Sequence, residues 1–207
     1  MSFWSRNKCV SCSSNDTKIL KKILFKDSLV QNFLIKYYGT KVKEINFNSA
    51  YLEYLICEKC SMVWQKNILS DENMKFLYDE LISADYSLQK RELGDYSKFR
   101  DYISLAQQPS YFFYKSRPRD IKVLDFGMGW GHYCMASKAC GFDVFGCELS
   151  LKRIKFAKLN GIKTIDKPEQ IEDKFFHYIN TDQVFEHLDN PINIIQFFKR
   201  IIKDKGI

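Results

Sequence analysis

The chain of 207 residues is predicted to be an α/β protein whose C-terminal part forms a doubly wound parallel sheet. Two observations predict this class. From Ile121 onward, apolar runs alternate with helix patterns, and a glycine-rich turn at 127–131 joins the first run to a helix. A third observation concerns the N-terminal part, where two CxxC pairs indicate a small metal-stabilised module. We therefore divide the chain into a zinc-ribbon-like module (1–70), a helical connector (71–120) and the α/β part (121–207).

Composition and charge exclude several classes of protein. Hydrophobic residues make up 45% and charged residues 28% of the chain, as in ordinary globular domains. The apolar runs are too short to span a membrane, and the first residues, MSFWSRNKCVSC, lack the apolar stretch of a signal peptide. We therefore expect a cytoplasmic protein with no membrane partner. The net charge of +7 permits an anionic partner such as nucleic acid, although scattered lysines are more often simply solvated.

The seven cysteines indicate metal ligands or free thiols, because disulfides are rare in cytosolic proteins. Two CxxC pairs are formed by Cys9, Cys12, Cys57 and Cys60. Each pair can present two thiolates on a tight turn, and two such turns complete a tetrahedral zinc site with no position left for a reacting water. We predict a structural zinc, with free or redox-active thiols as the alternative. The remaining cysteines are predicted small core residues: Cys134, Cys140 and Cys147.

The connector is predicted to be helical. The stretch SDENMKFLYDELI has a possible N-cap at Ser70 or Asp71, and its apolar side chains recur at helical spacing. The stretch DYSKFRDYISLAQQ continues this pattern, and SRPRD marks the boundary before the next strand.

The elements of the α/β part follow from apolar runs and helix caps. Four strands are predicted at IKVLDFG, FDVFGCELS, IKTID and HYINTDQVF. The helix GHYCMASKACG ends at Gly141, while LKRIKFAKLN begins after a capping Ser150 and ends at Gly161. Asn190 and Pro191 start the helix INIIQFFKRIIK. Its predicted buried face consists of Ile194, Ile195, Phe198, Ile201 and Ile202.

The glycine turn and two acidic residues define a candidate ligand site. Glycines at alternate positions let the backbone approach a ligand and expose N–H groups at a helix start. Asp125 precedes the turn and would repel a pyrophosphate, but it suits an ammonium group. Glu148 ends the next strand, where a carboxylate can accept both hydroxyls of a ribose. A dinucleotide is disfavoured, because GxGxxG would need a glycine where His132 stands. S-adenosylmethionine carries both an ammonium group and a ribose.

The stretch VLDFGMGWGHYCMASKACGFDVFGCELS resembles motifs I and II of the class I S-adenosylmethionine-dependent methyltransferases. The resemblance implies a Rossmann-like fold. It also implies that the glycine loop wraps the methionine part of the cofactor and that an acidic residue after the second strand binds the ribose. The implied cofactor-binding residues are Asp125, Gly127, Gly129, Gly131 and Glu148.

The stretch DQVFEHLDNP resembles a segment after the fourth strand of small-molecule methyltransferases, which borders cofactor and substrate. His187 is therefore a candidate general base, since an imidazole can accept a hydroxyl proton near neutral pH. The alternative is that Glu186 and His187 only shape the loop and cap the next helix.

The whole arrangement resembles bacterial methyltransferases with an N-terminal zinc-binding domain, several of which act on sugars or other small polar molecules. The resemblance implies more strands than the four predicted here, and KDKGI reads as the turn into a fifth. We therefore expect a sheet that is incomplete at the C-terminus, with an apolar edge open to a second copy or a complementing fragment.

Three functions remain open from the sequence. The first is O- or C-methylation of a small polar substrate, such as a sugar or glycan precursor, by in-line displacement. The second is methylation of RNA, which the basic charge permits. The third is a non-catalytic protein that kept the cofactor fold.

Overall fold

The computed structural model describes residues 2–47, 50–82 and 96–207. The chain forms two compact units: residues 1–90 with 189–192, and residues 91–188 with 193–207. Part of the predicted connector, residues 83–95, lies outside the described residues, and the three-part division of the chain stays a prediction. Within the described ranges, no helix is both long and apolar enough to cross a membrane.

The described part of the first unit contains two small antiparallel sheets, with strand orders β2-β3-β4 and β1-β5, two α-helices and a 3-10 helix at Thr40–Glu44. Its second helix continues as one π-helical turn at Leu77–Leu81. The bounds of its elements are β1 Phe3–Ser5, β2 Thr17–Leu24, α1 Ser28–Tyr38, β3 Tyr51–Cys57, β4 Val63–Gln65, β5 Asn67–Leu69 and α2 Asp71–Phe76.

Two hydrophobic clusters stabilise this unit. Strand β3 alternates in burial, so that every second side chain from Glu53 to Cys57 is buried, as expected for a strand with one face on a core. One cluster surrounds the cysteines and includes Leu55 and Trp64. The other packs Phe25, Val42, Ile45 and Phe47 against one side of α1.

The second unit contains a four-stranded parallel sheet of order β8-β7-β6-β9, flanked by helices. This confirms the predicted α/β class with a doubly wound, Rossmann-like sheet. The first two residues of the last helix are grouped with the first unit, and its remaining residues belong to the second. The bounds are α3 Tyr96–Ala106, α4 Gln108–Phe112, β6 Lys122–Phe126, α5 His132–Ala139, β7 Asp143–Cys147, α6 Leu151–Leu159, β8 Lys163–Thr164, β9 Tyr178–Asn180 and α7 Pro191–Ile201.

Strand β6 lies at the centre of this sheet and is buried on both faces, as parallel strands usually are. Val123 and Leu124 point to opposite faces and have no exposed surface. Each belongs to a separate hydrophobic cluster, one containing Tyr133 and Val144 and the other Phe176 and Ile201. The central position of β6 fixes the turn that follows it at the carboxyl edge of the sheet.

Some predicted details are wrong. Ile201 is fully buried, but Ile195 of the same predicted helix face is 46% exposed. Cys134 and Cys147 are buried, whereas Cys140 is only half-buried. Ser150 occupies the N-cap position of α6, but its side chain makes no capping hydrogen bond.

The segment after α7 returns to the edge of the sheet. The backbone N–H of Ile207 donates to the carbonyl oxygen of His177 at 3.0 Å, and the N–H of Ile179 donates to that of Ile207 at 2.8 Å. A parallel bridge also joins Phe176 and Ile202. The predicted turn into a further strand at KDKGI therefore leads to pairing beside β9.

Candidate functional site

The glycine turn connects β6 to α5 in a conformation that favours glycine at three positions. Gly127, Gly129 and Gly131 have φ values of 79°, 55° and 76°, in the left-handed region. The N–H groups of Gly127 and Met128 donate to the carbonyl oxygen of Cys147 at 2.9 and 3.0 Å. These bonds fasten the start of the turn to the end of β7.

The loop after β9 packs directly on this turn. A Cβ atom built on Gly127 would lie 2.3 Å from Cγ2 of Val184, a distance that real Cβ atoms essentially never show. The residue before it, Gln183, has a φ of 55°, so the loop makes a tight left-handed bend as it reaches Gly127. Gly127 is therefore required both by its conformation and by a neighbouring side chain.

Replacing Gly127 by alanine is expected to destabilise the second unit by about 2–4 kcal/mol, from left-handed strain and from overpacking against Val184. The measurement is denaturant unfolding of the full chain. Gly141→Ala is the matched control, because Gly141 has a φ of 91° but a Cβ there would meet only Pro118 at 3.4 Å. Equal destabilisation by the two substitutions would contradict the steric argument.

Glu148 follows β7, and its carboxylate binds the backbone around it. Oε2 accepts from the N–H of Gly129 at 3.0 Å, and Oε1 accepts from the N–H groups of Leu149 and Ser150 at 2.8 and 3.0 Å. Arg153 places Nη1 3.8 Å from Oε2. The structure thus brings Glu148 to the glycine turn, as the sequence predicts, and its role toward a ribose stays a prediction.

Asp125 lies one residue before the end of β6 and is only 4% exposed. Its Oδ1 accepts from Nδ2 of Asn180 at 2.7 Å, and its Oδ2 lies 3.5 Å from the thiol of Cys134. Burial raises the pKa of this carboxyl to about 6, although the two hydrogen bonds act in the opposite direction. The negative charges of Asp182 and Glu148 contribute to this rise.

His187 ends a short 3-10 turn, Phe185–His187, in the loop after β9. Its side chain is 45% exposed, and Nε2 lies 3.8 Å from Oε1 of Glu186. The carboxyl ends of the strands, where this loop lies, are the usual ligand-binding edge of an open α/β sheet. A catalytic role for His187 stays a prediction.

Sequence reasoning missed Asn180 and Val184. Asn180 pairs in register with Asp125 across the β6–β9 ladder, and Val184 covers Gly127. A signal for Asn180 was present, because polar residues at the ends of adjacent parallel strands meet at one edge of the sheet.

The four CxxC cysteines form a second candidate site, in the first unit. Cys9 and Cys60 have sulfurs 3.5 Å apart, and so do Cys12 and Cys57. All four sulfurs lie within 4.8 Å of one another. A tetrahedral zinc with Zn–S bonds of about 2.3 Å places its sulfurs about 3.8 Å apart, so the four thiols fit this ion.

The two CxxC turns have the same backbone design. Ser13 and Ser61, each directly after the second cysteine of a pair, have φ values of 58° and 60°. Their N–H groups donate to the carbonyl oxygens of Cys9 and Cys57, both at 2.9 Å. Two equivalent turns therefore present their thiols to one point, which is the arrangement predicted for a closed four-thiolate site.

The lowered pKa of the Cys57 thiol suits a metal ligand. Burial acts to raise its pKa, but backbone N–H groups of Cys60 and Lys59 oppose this effect and the pKa is lowered to about 7. A thiol of that pKa is about half ionised at pH 7, and the thiolate is the metal-binding form.

Comparison with known proteins finds a family model described as a methyltransferase domain, which matches residues 96–207. The ubiquinone biosynthesis O-methyltransferase of Nitrosomonas europaea is 27% identical over 94 residues, which cover 41% of this chain and 40% of that protein. The chain thus spans less than half the length of this curated relative.

Solved methyltransferase structures are similar to part of this chain. The plantazolicin methyltransferase BpumL, in complex with a monoazolic desmethylPZN analog and SAH, superposes with a TM-score of 0.50 at 19% identity, over 64% of this chain and 52% of that one. A SAM-dependent methyltransferase from Archaeoglobus fulgidus gives a TM-score of 0.41 at 18% identity, over 57% and 53%.

Proposed function

Because the chain belongs to the methyltransferase domain family, we propose that it transfers a methyl group from S-adenosylmethionine to a small polar acceptor. The observation that carries this proposal is the left-handed glycine turn bound to the carboxylate of Glu148 at the ends of two adjacent parallel strands. The N–H groups of Gly127, Met128 and Gly129 donate to Cys147 and Glu148, so this turn does not offer them to a pyrophosphate.

The residues of the site have separate tasks toward the cofactor, which supplies an electrophilic methyl group on its sulfonium. The glycine turn would lie along its methionine part, and the negative charge of Asp125 would favour its ammonium group. Glu148 would accept hydrogen bonds from its ribose hydroxyls, alongside the backbone N–H groups that already donate to it.

His187 removes a proton from the acceptor as the methyl group moves. Its half-exposed position at the carboxyl edge of the sheet supports this role. The curated relative is named as an O-methyltransferase, which favours an oxygen acceptor. A sugar hydroxyl or another small hydroxyl compound is the proposed substrate class.

The four-cysteine cluster binds a structural zinc in this proposal. With four protein ligands the ion has no open position, so its contribution is to the folding of the first unit and not to the methyl transfer.

Calorimetry with S-adenosylmethionine tests the cofactor proposal. The full chain is expected to bind it, and Glu148→Gln to weaken binding about tenfold, since one good hydrogen bond to a charged group contributes about 1.5 kcal/mol or more. The exposed Glu172→Gln is the control and should bind as the unsubstituted protein does. Absence of binding by the unsubstituted chain would refute the proposal.

Replacing His187 by alanine is expected to lower turnover about 100-fold or more while leaving cofactor affinity unchanged, because a general base acts only in the chemical step. Methyl transfer to a panel of hydroxylated small molecules measures this. Glu186→Gln is the matched control. Full turnover by His187→Ala would favour the loop-shaping alternative, and cofactor binding without any transfer would favour a non-catalytic protein.

One surface favours RNA as a second candidate acceptor. Lys18 and Lys21 are exposed on β2 beside Ile19 and Leu20, which are 51% and 52% exposed. Basic and apolar side chains together suit a single-stranded nucleic acid. RNA binding that weakens steeply with salt would support this candidate.

A further inference from the structure

Asp125 is poorly placed to contact a ligand directly. It is 4% exposed, and both of its oxygens face protein groups, Oδ1 toward the amide of Asn180 and Oδ2 toward the thiol of Cys134. Of the residues that the structure describes, these are the two that donate to this carboxylate. A ligand ammonium at the edge of the sheet would therefore have to displace one of these two groups to reach Asp125 directly.

Asn180 is the more exposed of these two partners of Asp125, because Cys134 has no exposed surface. It is the last residue of β9, it pairs in register with Asp125, and it is only partly buried. Its Nδ2 is bound to Asp125 at 2.7 Å, the distance of a charge-assisted hydrogen bond. Because Nδ2 is anchored in this way, the orientation of the planar amide is fixed. The Oδ1 of the same amide has no hydrogen-bond partner among the residues that the structure describes.

The bond to Asp125 makes this amide a better acceptor. A carboxylate that binds one end of an amide polarises it, so that more negative charge lies on the carbonyl oxygen at the other end. The nearby charges of Asp182 and Glu148 have the same sign. The field at Asn180 therefore favours a cation and disfavours an anion.

We infer that Asn180 is a cofactor-binding residue whose Oδ1 accepts a hydrogen bond from the ammonium group of S-adenosylmethionine, while Asp125 on the neighbouring strand anchors and polarises the amide. This inference rests on the proposed function. It replaces a direct ion pair between Asp125 and the ammonium with a relay through one amide.

Two ligands separate this role from a structural one. S-adenosylmethionine carries the ammonium group, whereas 5′-methylthioadenosine has the same adenosine but lacks the amino acid part. Calorimetry on the full chain is expected to show that Asn180→Ala weakens binding of S-adenosylmethionine about 10- to 100-fold and leaves binding of methylthioadenosine unchanged. Asn180→Asp keeps the shape of the side chain and an acceptor oxygen, and a proton shared with Asp125 replaces the lost N–H donor, so it should restore most of the affinity that Asn180→Ala loses.

The outcomes are distinct. An equal loss of affinity for both ligands in Asn180→Ala and in Asn180→Asp would show that Asn180 only supports the fold. Unchanged affinity for both ligands would show that the ammonium group binds elsewhere. Either result would overturn the inference and leave the proposed function intact. An unsubstituted chain that binds neither ligand would overturn the proposed function, and this inference with it.

Discussion

Replacing Cys57 by serine is expected to abolish binding of the proposed zinc and to unfold the first unit while the second unit stays folded. Structural zinc contributes on the order of 10 kcal/mol to a small module, more than the net stability of most domains. Cys57 is 1% exposed and Cys9 is 3% exposed, and both pack with Leu55 and Trp64. Two cysteines of the proposed metal site thus belong to this hydrophobic cluster, so loss of the site is expected to disrupt the cluster as well.

Metal analysis together with hydrogen exchange would measure this effect. The amides of β2 and β3 should lose protection in Cys57→Ser and after chelation, and the amides of β6 and β7 should keep it. Cys140→Ser is the control, because Cys140 is a half-buried cysteine outside the cluster. A chain that is folded, reduced and free of zinc as purified would contradict the structural role of the metal.

Replacing Asp125 by asparagine is expected to raise the stability of the protein at neutral pH and to lower its affinity for the cofactor. The folded pKa of about 6 lies above the ordinary value of 3.8. This carboxyl group therefore contributes stability below about pH 4 that is lost as pH rises through about 6. At pH 8 the ionised group costs about 3 kcal/mol, from 1.36 kcal/mol for each pKa unit.

An asparagine at position 125 carries no charge, so burying it has no ionisation cost. Its carbonyl oxygen can still accept the hydrogen bond from Asn180. The stability gained by Asp125→Asn should be largest at pH 7–8 and should vanish near pH 4, as measured by urea unfolding across this range. Asp204→Asn serves as the control, because Asp204 is exposed and its ion pair with Lys174 contributes little. If Asp125→Asn were the less stable protein at pH 8, the buried charge would be stabilising, contrary to this prediction.

The sequence predicts most of the second unit because its signals are local. Glycines at 127, 129 and 131 define the turn, and Gly141 and Gly161 end two helices where expected. The exposed side of α7 could not be predicted, because helical spacing shows which residues share a face but not how much of that face the sheet covers. Ile195 illustrates this limit.

Contacts between distant segments of chain explain what the sequence does not show at the sites. The pairing of Asn180 with Asp125 depends on the strand order, in which β9 adjoins β6 although β7 and β8 lie between them in the sequence. The hydrogen bonds from backbone N–H groups to the carboxylate of Glu148 depend on the conformation of the loop. The cysteine cluster was predictable, since the CxxC spacing itself specifies two similar turns.

The placement of β9 beside β6 also has a consequence for how the protein folds. Asp125 and Asn180 are 55 residues apart in the chain, so closing the loop between them costs roughly 3–4 kcal/mol of chain entropy, from (3/2)RT ln n. Such non-local pairing forms slowly compared with helices and turns. The glycine turn and α5 can therefore form early during synthesis, whereas the edge of the site that Asn180 completes is among the last parts of the unit to assemble.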